Sequence, residues 1–170
     1  MKDHVDLVLS QWAHERPDLD VSSMAVLARV FRFNTAALRR IEPLFRAAGL
    51  HQGQFDLLAT LYRAGAPHAL SPQQLTAALL LSSGAMTHRL DQLEQGGLIA
   101  RSPNPDDRRG VIVSLTPAGL RTIRQILADY LAEIDALLTP LSAAERRQLA
   151  GLLRRLLAEH DRTTPGGIPQ

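Results

Sequence analysis

Residues that are almost all apolar recur at alternating spacings of three and four along two segments of the chain, 24–45 and 120–137. This spacing puts them on one stripe of a helix, so each segment predicts a long amphipathic helix. Pro43 would loosen the last turns of the first helix, and Pro140 would end the second. The stripe positions are Met24, Leu27, Phe31, Asn34, Leu38, Ile41 and Phe45, followed by Leu120, Ile123, Leu127, Tyr130, Ile134 and Leu137.

Shorter apolar periods predict three more helices outside the central region. The first is N-terminal, contains Trp12 and ends at Pro17. The second spans 51–64, follows the stop signal Gly49 and would bury Phe55, Leu58, Leu61 and Tyr62. The last is rich in leucine and opens with the capping box Ser142-Ala143-Ala144-Glu145.

The central region predicts two short helices separated by a tight turn. Ser71-Pro72-Gln73-Gln74 is a capping box with proline at the first helical position, and this helix would end near Leu81. Ser82 and Ser83 can cap the next helix, which would end at Gly96-Gly97. Two short helices in this arrangement are typical of a helix-turn-helix.

A β-hairpin is predicted directly after the second of these helices. Residues 98–101 and 111–115 are short β-prone runs, and the polar segment 103–110 between them predicts a long charged turn. A helix-turn-helix followed by such a hairpin is a winged helix. The expected fold is therefore mainly α with a small β-hairpin.

The second short helix is the candidate recognition helix. Met86, Leu90 and Leu93 share one face, so at about 100° per residue the residues opposite them would meet a DNA major groove. A solvated helix face is the alternative interpretation. The predicted groove contacts are Gly84, Thr87 and His88, and Ser82 and Ser83 are predicted phosphate contacts at the helix N-terminus.

Arg108 and Arg109 lie at the predicted tip of the hairpin. Arginine enters narrow minor grooves because the potential there is most negative, so we predict that both contact DNA. Asp106 could orient Arg108 through a charge-assisted hydrogen bond. A solvated ion pair in the turn is the alternative.

The two long amphipathic segments flank this winged unit, which has little need of them for its own core. They predict a dimerisation platform built from both ends of the chain, and an intramolecular bundle is the alternative. The predicted organisation is an N-terminal helix (1–20), a helical dimerisation region (21–64 and 116–160), a winged helix-turn-helix lobe that binds DNA (65–115) and a flexible tail (161–170).

Composition narrows the functional classes. The formal net charge of the 170-residue chain is only +2, so DNA binding would depend on local arrangement rather than on a polybasic surface. The absence of cysteine excludes disulfides and thiolate chemistry, and no apolar run is long enough to cross a membrane. These features predict a cytoplasmic protein.

No nucleophile elbow, P-loop or dinucleotide-binding glycine pattern is present, so we predict no enzymatic activity and no cofactor. The six histidines form no H-x-x-x-H pair, and no metal site is predicted. A zinc sensor built from histidine and carboxylates remains a minor alternative.

Four segments in this order and spacing resemble the MarR family of bacterial winged-helix repressors over about residues 21–160. They are residues 83–94, Gly97-Leu98-Ile99-Ala100-Arg101, Asp106-Asp107-Arg108-Arg109-Gly110 and Leu115-Thr116-Pro117-Ala118-Gly119. The resemblance implies a homodimer that binds a pseudo-palindromic operator on double-stranded DNA and is released by a small anionic or phenolic ligand.

The chain resembles more narrowly the urate-responsive HucR/PecS branch of that family, which has an extra N-terminal helix. The resemblance implies that Trp12, Asp56, Arg89 and Arg101 bind the ligand. Asp56 lies between Phe55 and Leu57, so an arginine partner is expected for its carboxylate, and Arg89 is placed better for a crevice than for base reading.

Each of these four residues has a plain structural alternative. Trp12 could anchor its helix, Asp56 could form a structural ion pair, and Arg89 and Arg101 could hold phosphates. A sensor of other phenolic or aromatic acids, and a helical interaction module without DNA binding, are the alternative functions.

Overall fold

The computed structural model describes residues 2–105 and 107–163, with side chains except those of 107–109 and 160–163. Within this range it contains seven helices and three short strands. In chain order they are α1 (His4–Glu15), α2 (Ser22–Ala47), α3 (Gln52–Arg63), β1 (Ala69–Leu70), α4 (Pro72–Leu79), α5 (Ser83–Gln95), β2 (Ile99–Asn104), β3 (Asp107–Leu115), α6 (Pro117–Leu137) and α7 (Ala143–Thr163).

The chain divides into two compact units, one ending at Ile41 and the other beginning at Glu42. In the first unit, α1 begins with a capping box in which Asp3 accepts a hydrogen bond from the Asp6 backbone and Asp6 accepts one from the Asp3 backbone. Arg29 of α2 pairs with both carboxylates at 2.9 and 2.8 Å. This capping and pairing explain why the short N-terminal sequence forms the predicted helix.

The predicted first long helix is confirmed, and it runs through Pro43 to Ala47. Gly49 then adopts the left-handed conformation with φ of 71°. The Leu50 N–H returns to the Phe45 carbonyl at 2.9 Å, which closes the helix end as the glycine predicted.

The second unit is built on a core shared by α3, α4, α5, the sheet and α6. Predicted core residues Phe55, Leu58 and Leu61 are buried, whereas Tyr62 is half-buried, with its ring stacked on His68. Completely buried side chains come from each of these elements, and they include Leu57, Leu75, Met86, Leu93, Ile99, Val113 and Ile123.

The sheet has three antiparallel strands in the order β1-β3-β2. The predicted hairpin is confirmed as β2 and β3, with Ile99 opposite Leu115 and Arg101 opposite Val113. Two details of the prediction were wrong. Strand β1 was not predicted, and the strands extend into the segment 103–110 that was predicted as a turn.

Helix α6 begins where Thr116 accepts a hydrogen bond from the Gly119 backbone, and the predicted capping box at α7 forms between Ser142 and Glu145. Helix α7 continues to Thr163, so residues 161–163 are helical rather than part of the predicted tail. Residues 164–170 of that prediction lie outside the described residues. No described helix is long and apolar enough to cross a membrane.

Candidate DNA-binding face and ligand site

The recognition helix α5 is oriented by its apolar face. Met86, Leu90 and Leu93 are buried, as the helical spacing predicted. Ser82 is the N-cap, and its Oγ accepts a hydrogen bond from the Ala85 N–H at 3.4 Å. With one face fixed in the core, the predicted contacts with DNA lie on the exposed part of the helix; they are Ser82, Ser83, Gly84, Thr87 and His88.

The wing follows α5 after the turn at Gly96 and Gly97. Backbone positions 108 and 109 belong to β3 and therefore lie near the hairpin end of the wing. The side chains of Arg108 and Arg109 lie outside the described residues, as does Asp106.

The sequence predicts an arginine partner for Asp56, and the charges of Arg89 and Arg63 both act on its carboxyl. Burial raises the pKa of the Asp56 carboxyl, while the positive charges of Arg89 and then Arg63 lower it, and burial has the larger effect. Asp56 lies on α3 and Arg89 on the recognition helix α5. The contribution of Arg63 was not predicted, because the helical pattern gave it no distinguishing role.

Gly53 determines how Arg89 reaches α3. A Cβ atom built on Gly53 would lie 2.5 Å from the Arg89 Cζ and 2.7 Å from its Nη1. The guanidinium therefore rests directly against the glycine backbone, one turn before Asp56. Sequence reasoning missed this residue, since a glycine near a helix start has no pattern that reveals a distant neighbour.

An aromatic cluster lies behind this part of α3. Phe45 and Phe55 stack with ring centroids 4.5 Å apart, and Tyr130 of α6 packs on Phe55 at 4.9 Å. Burial raises the pKa of the Tyr130 hydroxyl, and the nearby charge of Asp56 raises it further. Tyr130 therefore belongs both to the aromatic cluster and to the surroundings in which the charge of Asp56 acts.

Arg101 has different partners. Its Nη2 lies 2.6 Å from Asp91 Oδ1, its Nη1 lies 3.5 Å from Glu94 Oε2, and its backbone N–H donates to Glu94 Oε1 at 3.2 Å. Its side chain is only 28% exposed. These contacts, which were not predicted, fix strand β2 to the recognition helix.

Trp12 lies in the first unit, on α1, and is 39% exposed. Asp56, Arg89 and Arg101 belong to the second unit. Within the residues that the structure describes, no group of three His, Asp or Glu side chains is placed to hold a metal ion.

Comparisons with known proteins agree with this architecture. Residues 50–111, which include the helix-turn-helix and most of the wing, match the profile of the MarR family. The HTH-type transcriptional regulator PecS of Dickeya dadantii is 38% identical over 149 residues, covering 88% of this chain and 90% of PecS. The chain belongs to the MarR family.

Solved structures of MarR-family regulators share the fold. AbsC from Streptomyces coelicolor superposes with a TM-score of 0.78 at 22% identity, covering 86% of this chain and 98% of AbsC. A mutant MarR from E. coli in complex with operator DNA has a TM-score of 0.69 at 28% identity, with 82% and 99% coverage. This MarR-family chain is thus a DNA-binding transcriptional regulator and not an enzyme.

Proposed function

We propose that this chain is a homodimeric repressor that leaves its operator when a small anionic aromatic compound binds near Asp56 and Arg89. The observation that carries the proposal is the place of the Arg89 guanidinium: it belongs to the recognition helix and lies against Gly53 of α3, one turn before the half-buried Asp56. A ligand that binds Arg89 would therefore act directly on the recognition helix.

Exposed apolar side chains support the dimer. Phe31 on α2 is 66% exposed, although it belongs to the apolar stripe of a long helix. Such stripes are normally covered, and a second copy of the chain would cover them. The exposed residues are Met24, Val26, Leu27, Val30, Phe31 and Phe33 on α2, and Leu149, Leu152, Leu153, Leu156 and Leu157 on α7.

A two-fold dimer would present two recognition helices about one DNA turn apart, which matches a pseudo-palindromic operator. Gly84, Thr87 and His88 would then face base edges, while Ser82 and Ser83 would bind phosphate. Arg108 and Arg109 would enter the flanking minor grooves. Occupation of a promoter by such a dimer would block transcription.

For release, the ligand anion would bind Arg89 and repel the Asp56 carboxylate. Two like charges in a partly dry site disfavour each other, so the contact between α3 and the recognition helix would rearrange. A hundredfold loss of operator affinity requires about 2.7 kcal/mol of coupling. Urate is the first ligand to test, since the residue types at Trp12, Asp56, Arg89 and Arg101 resemble those of the urate-responsive branch.

Arg101 would reach such a ligand only by leaving Asp91 and Glu94, so Asp56 and Arg89 carry the main part of this proposal. Trp12 is the single tryptophan, and quenching of its fluorescence by urate would report stacking against it.

The test is a gel shift on the DNA upstream of the gene, titrated with urate and a panel of phenolic and aromatic acids. We expect parent protein to be released and Asp56→Asn to bind the same DNA but need at least about tenfold more ligand. Asp129→Asn, which changes an exposed aspartate of α6, is the matched control. Release of Asp56→Asn at the parent's ligand concentration would refute this trigger.

A further inference from the structure

Leu80 lies in the turn of the helix-turn-helix with a backbone conformation that is uncommon for leucine. It is the C-cap of α4, and its φ of 51° and ψ of 43° are left-handed. Glycine is common in such turns, because a Cβ crowds the following carbonyl oxygen in this conformation. Leucine here therefore costs the fold some free energy that glycine would not.

The left-handed conformation itself is needed, because it ends α4 and begins the turn to the recognition helix. The backbone N–H groups of Leu80 and Leu81 both donate to the Thr76 carbonyl, the second at 3.2 Å. Ser82 follows as the N-cap of α5. The turn thus requires a left-handed residue at position 80, but it does not require that residue to be leucine.

The side chain of Leu80 gains little from the core. It is 60% exposed, whereas Leu79 and Leu81 on either side are half-buried. Burial is the contribution that leucine normally makes to a fold. Strained residues cluster at functional sites, so a leucine that is both strained and exposed indicates a role outside the core.

Leu80 comes directly before the surface proposed to bind DNA. Ser82 and Ser83, the proposed phosphate contacts, follow it by two and three residues. Residues in the first turn of a recognition helix meet base edges, so a residue ahead of that turn lies beside the sugar-phosphate wall of the groove. The deoxyribose rings are the apolar part of that wall.

We infer that Leu80 is an apolar contact to the DNA backbone, with its side chain against a deoxyribose ring. This inference rests on the proposed placement of α5 in the major groove and adds one contact to it, independently of any ligand. Deoxyribose is the same at every base pair and carries no charge. The contact therefore adds affinity for any duplex sequence, and its contribution does not depend on salt.

The experiment measures the Kd of Leu80→Gly for the DNA upstream of the gene and for an unrelated duplex, by fluorescence anisotropy at several salt concentrations. We expect about tenfold weaker binding of both duplexes, because an apolar side chain is no longer buried against DNA. The slope of log Kd against log salt should equal that of the parent, because an apolar contact releases no counterions.

Thermal unfolding separates this role from a structural one. Leu80→Gly should unfold at the temperature of the parent or above it, since glycine adopts a φ of 51° without steric cost. Leu80→Met is the matched control, because it keeps an apolar side chain of similar size and should bind both duplexes as the parent does. Leu80→Asn, which tolerates the left-handed conformation, should lose binding as the glycine variant does.

DNA binding by Leu80→Gly that equals that of the parent would overturn the inference. A clearly lower Tm of Leu80→Gly would also overturn it, because the side chain would then belong to the fold. Weaker binding of the upstream DNA alone would contradict the deoxyribose contact and place the leucine on a base edge.

His88→Ala distinguishes this inference from the proposed function, because His88 is a proposed base contact. If His88→Ala weakens binding of the upstream DNA and Leu80→Gly does not, α5 reads DNA as proposed and only the Leu80 contact is refuted. The reverse result would support Leu80 and refute the base contact of His88. A parent that does not bind the upstream DNA would refute both.

Discussion

Gly119 lies where the start of α6 packs closely against the start of the wing. A Cβ at this position would overlap the carbonyl oxygen of Leu98, at the start of the wing. The Gly119 N–H also donates to Thr116 Oγ1 at 3.0 Å, and Thr116 Oγ1 donates to the Gly97 carbonyl at 2.7 Å. Glycine is required here by close backbone approach, not by an unusual φ.

We expect Gly119→Ala to lower the free energy of unfolding by about 3 kcal/mol, because the new methyl group meets rigid backbone rather than a mobile side chain. Urea denaturation followed by circular dichroism measures the change. Gly151→Ala, where the added methyl group has free space, should be neutral or slightly stabilising. Equal stability of Gly119→Ala and the parent would contradict this account of the junction.

The environment of Asp56 predicts how the stability of the fold depends on pH. Its pKa is raised by burial, so the folded protein binds this proton more readily than the unfolded chain. Its contribution to stability is therefore highest when the carboxyl is neutral, and it falls as pH rises through the raised pKa. Asparagine resembles the neutral carboxyl, so the Tm of Asp56→Asn should match that of the parent in acid and exceed it at neutral pH.

Thermal unfolding of both proteins between about pH 4 and about pH 8 tests this expectation. A Tm of the parent that exceeds that of Asp56→Asn at neutral pH would show instead that the carboxylate is stabilised by its arginine neighbours more than it is penalised by burial. Asp129→Asn corrects for the general effect of removing an acidic side chain.

At the residue scale, the need of Asp56 for a cation could be predicted from the sequence because its carboxylate lies between buried hydrophobes, but the sequence did not show which arginines would supply it. The partnership of Asp91 with Arg101 could not be predicted. At about 100° per residue, Asp91 lies away from the buried face of α5. Such an angle on one helix does not reveal which strand passes beside it.

At the scale of elements, Arg101 joins the wing to the recognition helix. Arg101 of β2 holds two carboxylates of α5, and both the side chain and the backbone of Arg101 take part. A pair that is partly shielded from water couples more strongly than a fully exposed one. We therefore regard Arg101 as a positioning residue for the wing.

A double-mutant cycle of Arg101→Gln and Asp91→Asn should give a coupling energy of about 1 kcal/mol in unfolding. Each single variant should also speed amide hydrogen exchange in β2, since the strand loses its attachment to the helix. Zero coupling, together with unaltered exchange, would argue that the ion pair does not fix the wing.

Most helices and strands could be predicted from the sequence because capping boxes, prolines and glycines mark their ends. Strand β1 did not, since two residues cannot show a period, and it exists only because β3 offers its free edge. The strands also extend through Ser102 and Pro103, residues of low β propensity, because pairing across the hairpin compensates for that propensity.

At the scale of the whole molecule, we expect a dimer because the apolar stripes of α2 and α7 are exposed. Leu156 is 50% exposed, and a charge placed there would be buried in an interface between two copies. If the proposed dimer forms, Leu156→Glu should shift its equilibrium towards monomer at micromolar concentration and weaken operator binding with it.

Sedimentation equilibrium measures this shift. Ala158→Glu is the control, because it adds the same charge about 180° away on α7 at about 100° per residue. A monomeric parent would contradict the dimer directly. An equal effect of both variants would place the interface elsewhere than on the leucine face.

The guanidinium of Arg89 resting on Gly53 has a consequence for how such regulators diversify. Under the proposed function, Arg89 would both bind the ligand and help to orient the recognition helix. A mutation of Arg89 would therefore change ligand binding and DNA binding together. Relatives that respond to different compounds should therefore keep this arginine and the small residue beneath it. Ligand specificity could then evolve while the contact between Arg89 and Gly53, which connects the ligand to the recognition helix, is kept.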